Sequence, residues 1–230
     1  MLEPKDRSSG RPRSSRPTSR PASARGRTDA NPRQSGGRVR GVLFDMDGTI
    51  VDVPYDWPHI KAELESGDIP ILSYLSKLEE PKKSAKWAVL RSYEEDATRR
   101  AVLKRGVRGF LRFLAGRKVR TALITNNSMK NTEVLLRRYK LTFDLVMTRE
   151  AGLWKPSGAP LIAAMKTLRL GPRDCCGVGD SHFDVRAARE ARIGRIFILG
   201  RDRARFSGAD ADVEIVSSYT VLRKRIEPLL

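Results

Sequence analysis

The chain has few residues that could be cross-linked or could chelate a soft metal. Its 230 residues include two cysteines and two histidines. The cysteines are neighbours, Cys175 and Cys176, and adjacent cysteines rarely reach disulfide geometry. No Cys-x-x-Cys spacing suggests zinc. A disulfide scaffold and a structural zinc module are thereby excluded, and two buried, reduced thiols in a strand are expected. Such thiols fit a cytoplasmic setting, or an organelle matrix or stroma if the N-terminal segment is a transit peptide. Long apolar runs are also missing. None approaches the roughly 18 residues of a membrane span, and no signal-peptide core is expected. Acidic residues are scarce beside basic ones, 27 against 45, which leaves a formal charge of +18.

That surplus is unevenly spread. Residues 1–40 carry 11 Lys/Arg against 3 Asp/Glu, and Pro, Gly and Ser fill 16 of the 40 positions. Large apolar side chains are nearly absent before Val39, so this stretch cannot bury enough surface to offset the entropy of ordering. A disordered basic tail over 1–38 is expected. Its Arg/Ser-rich, acid-poor bias also fits a transit peptide, and its charge fits an arm contacting nucleic acid or an anionic surface.

From Arg38 onward short apolar runs alternate with helical periodicity. Runs at 42–44, 119–124, 143–147, 175–178, 196–199 and 213–216 read as strands. Val107, Phe110, Leu111 and Leu114 are spaced for one helix face and stop at Gly116. Leu161, Ile162, Met165 and Leu168 form another, opened by Pro160. Near-continuous apolar strands alternating with helices predict an α/β fold, a parallel sheet covered on both sides. About 65 residues between the first two strands lack a good strand. There Ile71, Leu72, Leu75 and Leu78 make a helical stripe, and 83–105 reads as a longer helix. The expected organisation is a core of 39–52 and 105–230 with a small helical cap, 53–104, inserted after strand one.

Ligands of open parallel sheets sit beyond the carboxyl ends of the strands. Strand one leads into Asp45 and Asp47, which strand geometry would place on one face. Two carboxylates that close raise each other's proton affinity unless a cation or donors intervene. The second strand leads into Thr125 and Asn126 in "TALITNNS", and the third precedes Lys155 in "GLWKPSGAP". The fourth ends in Gly179, Asp180 and Asp184 of "GVGDSHFD". Singly these are bland: Asp-Gly is a common turn, Lys-Pro a surface loop, and Asp180 and Ser181 suit a helix N-cap.

As an ordered set they resemble the haloacid dehalogenase-like superfamily. The match runs through DxDGT at 45–49, a hydrophobic run ending in Thr125, Lys155 before proline, and GDSxxD at 179–184, covering about 39–200. The insertion is similar to the cap of the phosphoglycolate phosphatase-like branch. The resemblance implies a Rossmann-like, doubly wound sheet and a Mg²⁺-dependent phosphomonoester hydrolase working through an aspartyl-phosphate. Asp45 would be the nucleophile and Asp47 the acid and base. Asp45, Asp180 and the Asp47 carbonyl would hold Mg²⁺, with Asp184 behind them or through water. Gly48 would keep the loop bare and Thr49 would brace it. Thr125, Asn126 and Lys155 would bind phosphate. The substrate would be a small phosphorylated metabolite, phosphoglycolate by default. A sugar-phosphate mutase of the same fold and a tail-tethered binding module with secondary phosphatase activity are the alternatives. His59, His182, Tyr55, Trp57, Trp87 and Trp154 are read as loop or packing residues. One departure is "REARIG" at 189–194, where such proteins commonly carry alanine-glycine and this chain has Arg192.

Overall fold

The computed structural model describes residues 37–200 and 212–230, so the expected tail lies almost wholly outside the described residues. The described residues form a six-stranded sheet of β1 (Gly41–Phe44), β4 (Arg120–Ile124), β5 (Leu145–Met147), β6 (Cys175–Gly179), β7 (Ile196–Leu199) and β8 (Val213–Val216). Every pairing in it is parallel, and the order is β5-β4-β1-β6-β7-β8. The chain grows outward from β1 to β5 on one side, then returns to build β6 to β8 on the other. That reversal opens a crevice at the carboxyl ends of β1, β4 and β6.

Side chains alternate across the pleat, and both faces are covered. Val42 and Phe44 pack with Val107, Phe110 and Leu114 of α4 (Val107–Gly116), Leu135 of α5 (Met129–Tyr139), and Leu222 and Ile226 of α8 (Tyr219–Ile226). Leu43 faces Leu161 and Met165 of α6 (Ala159–Leu168) and Val185 and Ala188 of α7 (His182–Glu190). Both cysteines lie buried in β6 as free thiols, and burial pushes Cys175 up to about 12. The third strand starts two residues later than expected. Asp144 is drawn sideways, accepting from the Thr121 N–H at 2.8 Å and from Arg120, so the ladder begins at Leu145.

Three helices follow β1: α1 (Trp57–Leu64), α2 (Ile71–Ser76) and α3 (Lys82–Arg100). They share a separate apolar cluster of Ile60, Leu64, Leu72, Leu75 and Leu90. Asp56 caps α1, accepting the His59 N–H at 3.1 Å. The helix expected over 83–105 ends at Arg100. Beyond the extended Ala101, β3 (Val102–Leu103) pairs antiparallel with β2 (Val51–Asp52). Two-residue strands leave no periodic signal, and the run of charged helix formers reads straight through the break. No helix among the described residues is long and apolar enough to cross a membrane.

Candidate active site

Asp45 directly follows β1, and its N–H donates to the Val178 carbonyl of β6 at 2.9 Å. Its side chain therefore stands at the seam between the two strands. The strand itself stops at Phe44, so Asp45 and Asp47 are not strand neighbours as expected. A tight turn brings them together instead: the Met46 carbonyl collects the N–H groups of Thr49, Ile50 and Val51 at 3.2, 2.8 and 3.1 Å. Gly48 takes φ +81° within that turn, and a Cβ there would stand 1.9 Å from Asp180 Oδ2. Only glycine lets the two loops touch. The bracing expected of Thr49 runs through its backbone. Its carbonyl accepts the Tyr219 hydroxyl at 3.0 Å, while its own hydroxyl is buried without a partner among the described residues.

Thr125 directly follows β4 and lies beside the same crevice. Its hydroxyl accepts the Asn127 N–H at 3.0 Å. Asn126 also lines the crevice, with both polar atoms of its side chain committed to the backbone of Lys155. Nδ2 donates to the Lys155 carbonyl and Oδ1 accepts the Lys155 N–H, each at 2.8 Å. Its amide braces the lysine loop instead of presenting itself to a ligand. The buried Lys155 ammonium bonds Asp45, and Asp184 Oδ1 at 2.7 Å. Ser181 is the N-cap of α7, and Asp184 Oδ2 accepts from the Ser181 hydroxyl at 2.6 Å and its N–H at 3.1 Å. The N-cap reading of GDSxxD holds for Ser181, and the same turn leaves Asp180 and Asp184 beside Lys155 and Asp45.

Asp45, Asp180 and Asp184 bring one carboxylate oxygen each to within 4.8 Å of one another. With Asp47, four carboxylates face one ammonium, and the electrostatics reflect that excess. Burial pushes Asp45 up to about 6, Lys155 opposing and Asp184 adding to it. Burial and the Asp45 charge push Asp47 up to about 7. Burial and the charges of Asp45 and Asp184 push Asp180 up to about 8. Burial also works against ionised Asp184, but Lys155 and the Ser181 donors hold it below the usual carboxylate range. Burial disfavours the Lys155 charge too, and its two carboxylate partners outweigh that and raise it. Asp180 accepts no hydrogen bond from the described residues. A partly buried carboxylate left bare beside two others is what an oxygen-seeking dication would complete. The residues present fit Mg²⁺.

The crevice opens into a cavity of about 740 Å³, with Asp45, Asp47, Thr125, Lys155 and Asp180 at one end and Tyr55 and Trp57 among its other walls. Lys104 also lines it, paired with Asp52, whereas Arg99 and Arg100 are spent on Asp96. His59 lies on the surface of α1, edge-on to Tyr93, and His182 lines the cavity. Trp87 sits under the Arg149 guanidinium at 5.0 Å, and Trp154 donates to Ser73 at 3.3 Å, both as packing residues.

The profile of the haloacid dehalogenase-like hydrolases matches residues 59–198. The chain belongs to that family. A haloacid dehalogenase-like hydrolase domain-containing protein of Arabidopsis thaliana is 29% identical over 189 residues, 76% of each chain. A phosphoglycolate phosphatase of Nitrosospira multiformis is 30% identical over 181 residues, 66% of this chain and 80% of its own. The fold is shared with the crystal structure of a putative β-phosphoglucomutase from Thermotoga maritima. That pair has a TM-score of 0.61 and 19% identity, covering 84% of this chain and all of the other.

Two residues at this haloacid dehalogenase-like site escaped the sequence reading. Asn127 donates from Nδ2 to Asp47 Oδ2 at 3.1 Å and to the Tyr55 hydroxyl at 3.2 Å. Tyr55, taken for packing, lines the cavity and stacks on Trp57 with ring centroids 4.3 Å apart. The doubled asparagine after Thr125 was the available signal.

Proposed function

We propose that the chain is a Mg²⁺-dependent phosphomonoester hydrolase. The observation that carries this is the meeting of Asp45, Asp47, Thr125, Lys155, Asp180 and Asp184, spread over 140 residues of sequence, at one end of one cavity. Asp45 is the nucleophile. It attacks phosphorus, the bond to the leaving oxygen breaks, and an aspartyl-phosphate forms. Asp47 protonates the leaving oxygen and then takes a proton from the water that attacks phosphorus and frees Asp45. Thr125 and Lys155 lie where they can bind phosphate oxygens as charge spreads over them, Lys155 shifting from carboxylate to phosphate. Asp45 and Asp180, the Asp47 carbonyl, and Asp184 directly or through water would hold Mg²⁺, which supplies the positive charge this acidic cluster lacks.

Unaided phosphate monoesters hydrolyse so slowly that accelerations up to about 10²¹ are called for, and dividing the reaction into two displacements helps. The phosphoglycolate phosphatase relative supports a small phosphorylated metabolite as substrate, with phosphoglycolate first to try. The likeness to a putative mutase concerns the fold and carries no preference for phosphoryl transfer between sugar positions. The test is Mg²⁺-dependent release of p-nitrophenol from p-nitrophenyl phosphate. Wild type turning over and Asp45→Asn inactive is the expected result; equal rates for the two reject the mechanism.

A further inference from the structure

The geometry points to Asn127 as the positioning residue for the leaving-group acid: it grips Asp47 by one oxygen and so fixes the orientation of the carboxyl that delivers the proton, while Tyr55 holds the same amide. This rests on the assignment of Asp47 as acid and base. Asn127 is buried in the turn between β4 and α5. Its amide has one orientation, because Oδ1 accepts the Ser128 N–H at 2.8 Å and Asn131 Nδ2 at 3.1 Å. A flipped amide would set N–H against N–H. Both Nδ2 hydrogens must therefore point away, one to Asp47 Oδ2 and one to the Tyr55 hydroxyl. Asn131 is itself fixed in the first turn of α5, its N–H donating to Ser128 Oγ at 3.2 Å. The support is rigid.

Asp47 Oδ2 is thus an acceptor already in use, a poor seat for a proton. Oδ1 is buried and has no hydrogen-bond partner among the described residues. In the first displacement the Asp47 carboxyl gives its proton to the leaving oxygen as the P–O bond breaks. In the second it takes a proton from water as the new P–O bond forms and Asp45 departs as a carboxylate. Asn127 also lines the cavity, but its amide is spent within the protein, so its part is to hold the orientation of Asp47. Tyr55 lies between β2 and α1, so the same contact ties this acid to the segment that leads into the three helices.

A merely structural Asn127 would, when removed, slow all substrates alike. Loss of acid positioning depends on the leaving group. The test compares kcat/KM for p-nitrophenyl phosphate, whose leaving oxygen needs little protonation, with phenyl phosphate and phosphoglycolate, whose leaving oxygens do. Asn127→Ala is expected to cost about tenfold or less on the first and about 100-fold or more on the others, the range a positioned acid contributes. Tyr55→Phe, which removes one oxygen, should show the same ordering with smaller losses, and it serves if Asn127→Ala does not fold. Equal losses across the three esters in a folded variant overturn the inference. If that happens while Asp45→Asn is still inactive, the phosphatase reading stands without it; if wild type hydrolyses none of the three, both fall.

Discussion

Replacing Arg149 with methionine would leave Glu94 buried and uncompensated. Arg149 follows β5, Glu94 lies on α3, and their side chains are 8% and 6% exposed. The guanidinium grips the carboxylate with two nitrogens, the second contact at 2.8 Å, and rests on the Trp87 ring. Burial pushes the Glu94 carboxyl up even against Arg149, so the pair is held in place by geometry more than by cheap solvation. Removing one partner of a buried pair costs about 3–5 kcal/mol. At about 2–4 °C per kcal/mol for a domain of this size, Tm should fall by about 6–20 °C. Circular dichroism melts of wild type, Arg149→Met and the double variant Glu94→Met/Arg149→Met measure it. The double variant should regain most of the loss, since an apolar pair of similar volume needs no desolvation of charge. A single-variant loss below about 1 kcal/mol, or a double variant no better than the single, would refute the reasoning.

Three further outcomes are expected. Asp45, Asp47 and Asp180 titrate near 6, 7 and 8 in the fold but near 4 when unfolded. The native state therefore binds more protons in between, and metal-free stability should fall as pH rises from about 4 to about 8. Mg²⁺ should raise Tm strongly at pH 8 and little at pH 5, whereas a metal-free Tm that climbs from pH 6 to 8 contradicts the shifts. Gly48→Ala should abolish turnover and weaken Mg²⁺-induced stabilisation, because its Cβ would displace Asp180; normal Mg²⁺ affinity by calorimetry would count against that. Arg192 sits at φ +59°, in the left-handed region that favours glycine. Arg192→Gly should therefore raise stability by up to about 1 kcal/mol, or about 2–4 °C, without changing turnover.

The sheet was legible because buried parallel strands are short apolar runs between helical patterns, and all six runs lie in it. Strand ends were less so, as at Asp144, where a side-chain contact decides the start. Three of the four motif segments fall directly at the end of such a run and Lys155 eight residues beyond Met147, which is why the sequence led to the expectation that they share one crevice. Asn127 was not, since an asparagine in a turn looks like any turn former until Asp47, 80 residues away, is seen against it. The bracing contact of Asn126 was hidden for the same reason: only the fold shows its amide facing the Lys155 backbone. The Glu94–Arg149 pair was hidden because a charged residue on a long, mostly polar helix reads as solvated.

The most direct measurement uses p-nitrophenyl [³²P]phosphate, Mg²⁺ and an acid quench within the first turnovers. Wild type should retain label on the protein that hydroxylamine removes, as it does an acyl phosphate, and Asp45→Asn should retain none. Label that survives hydroxylamine, or that appears equally on Asp45→Asn, would contradict the assignment of Asp45 as the group that accepts phosphorus.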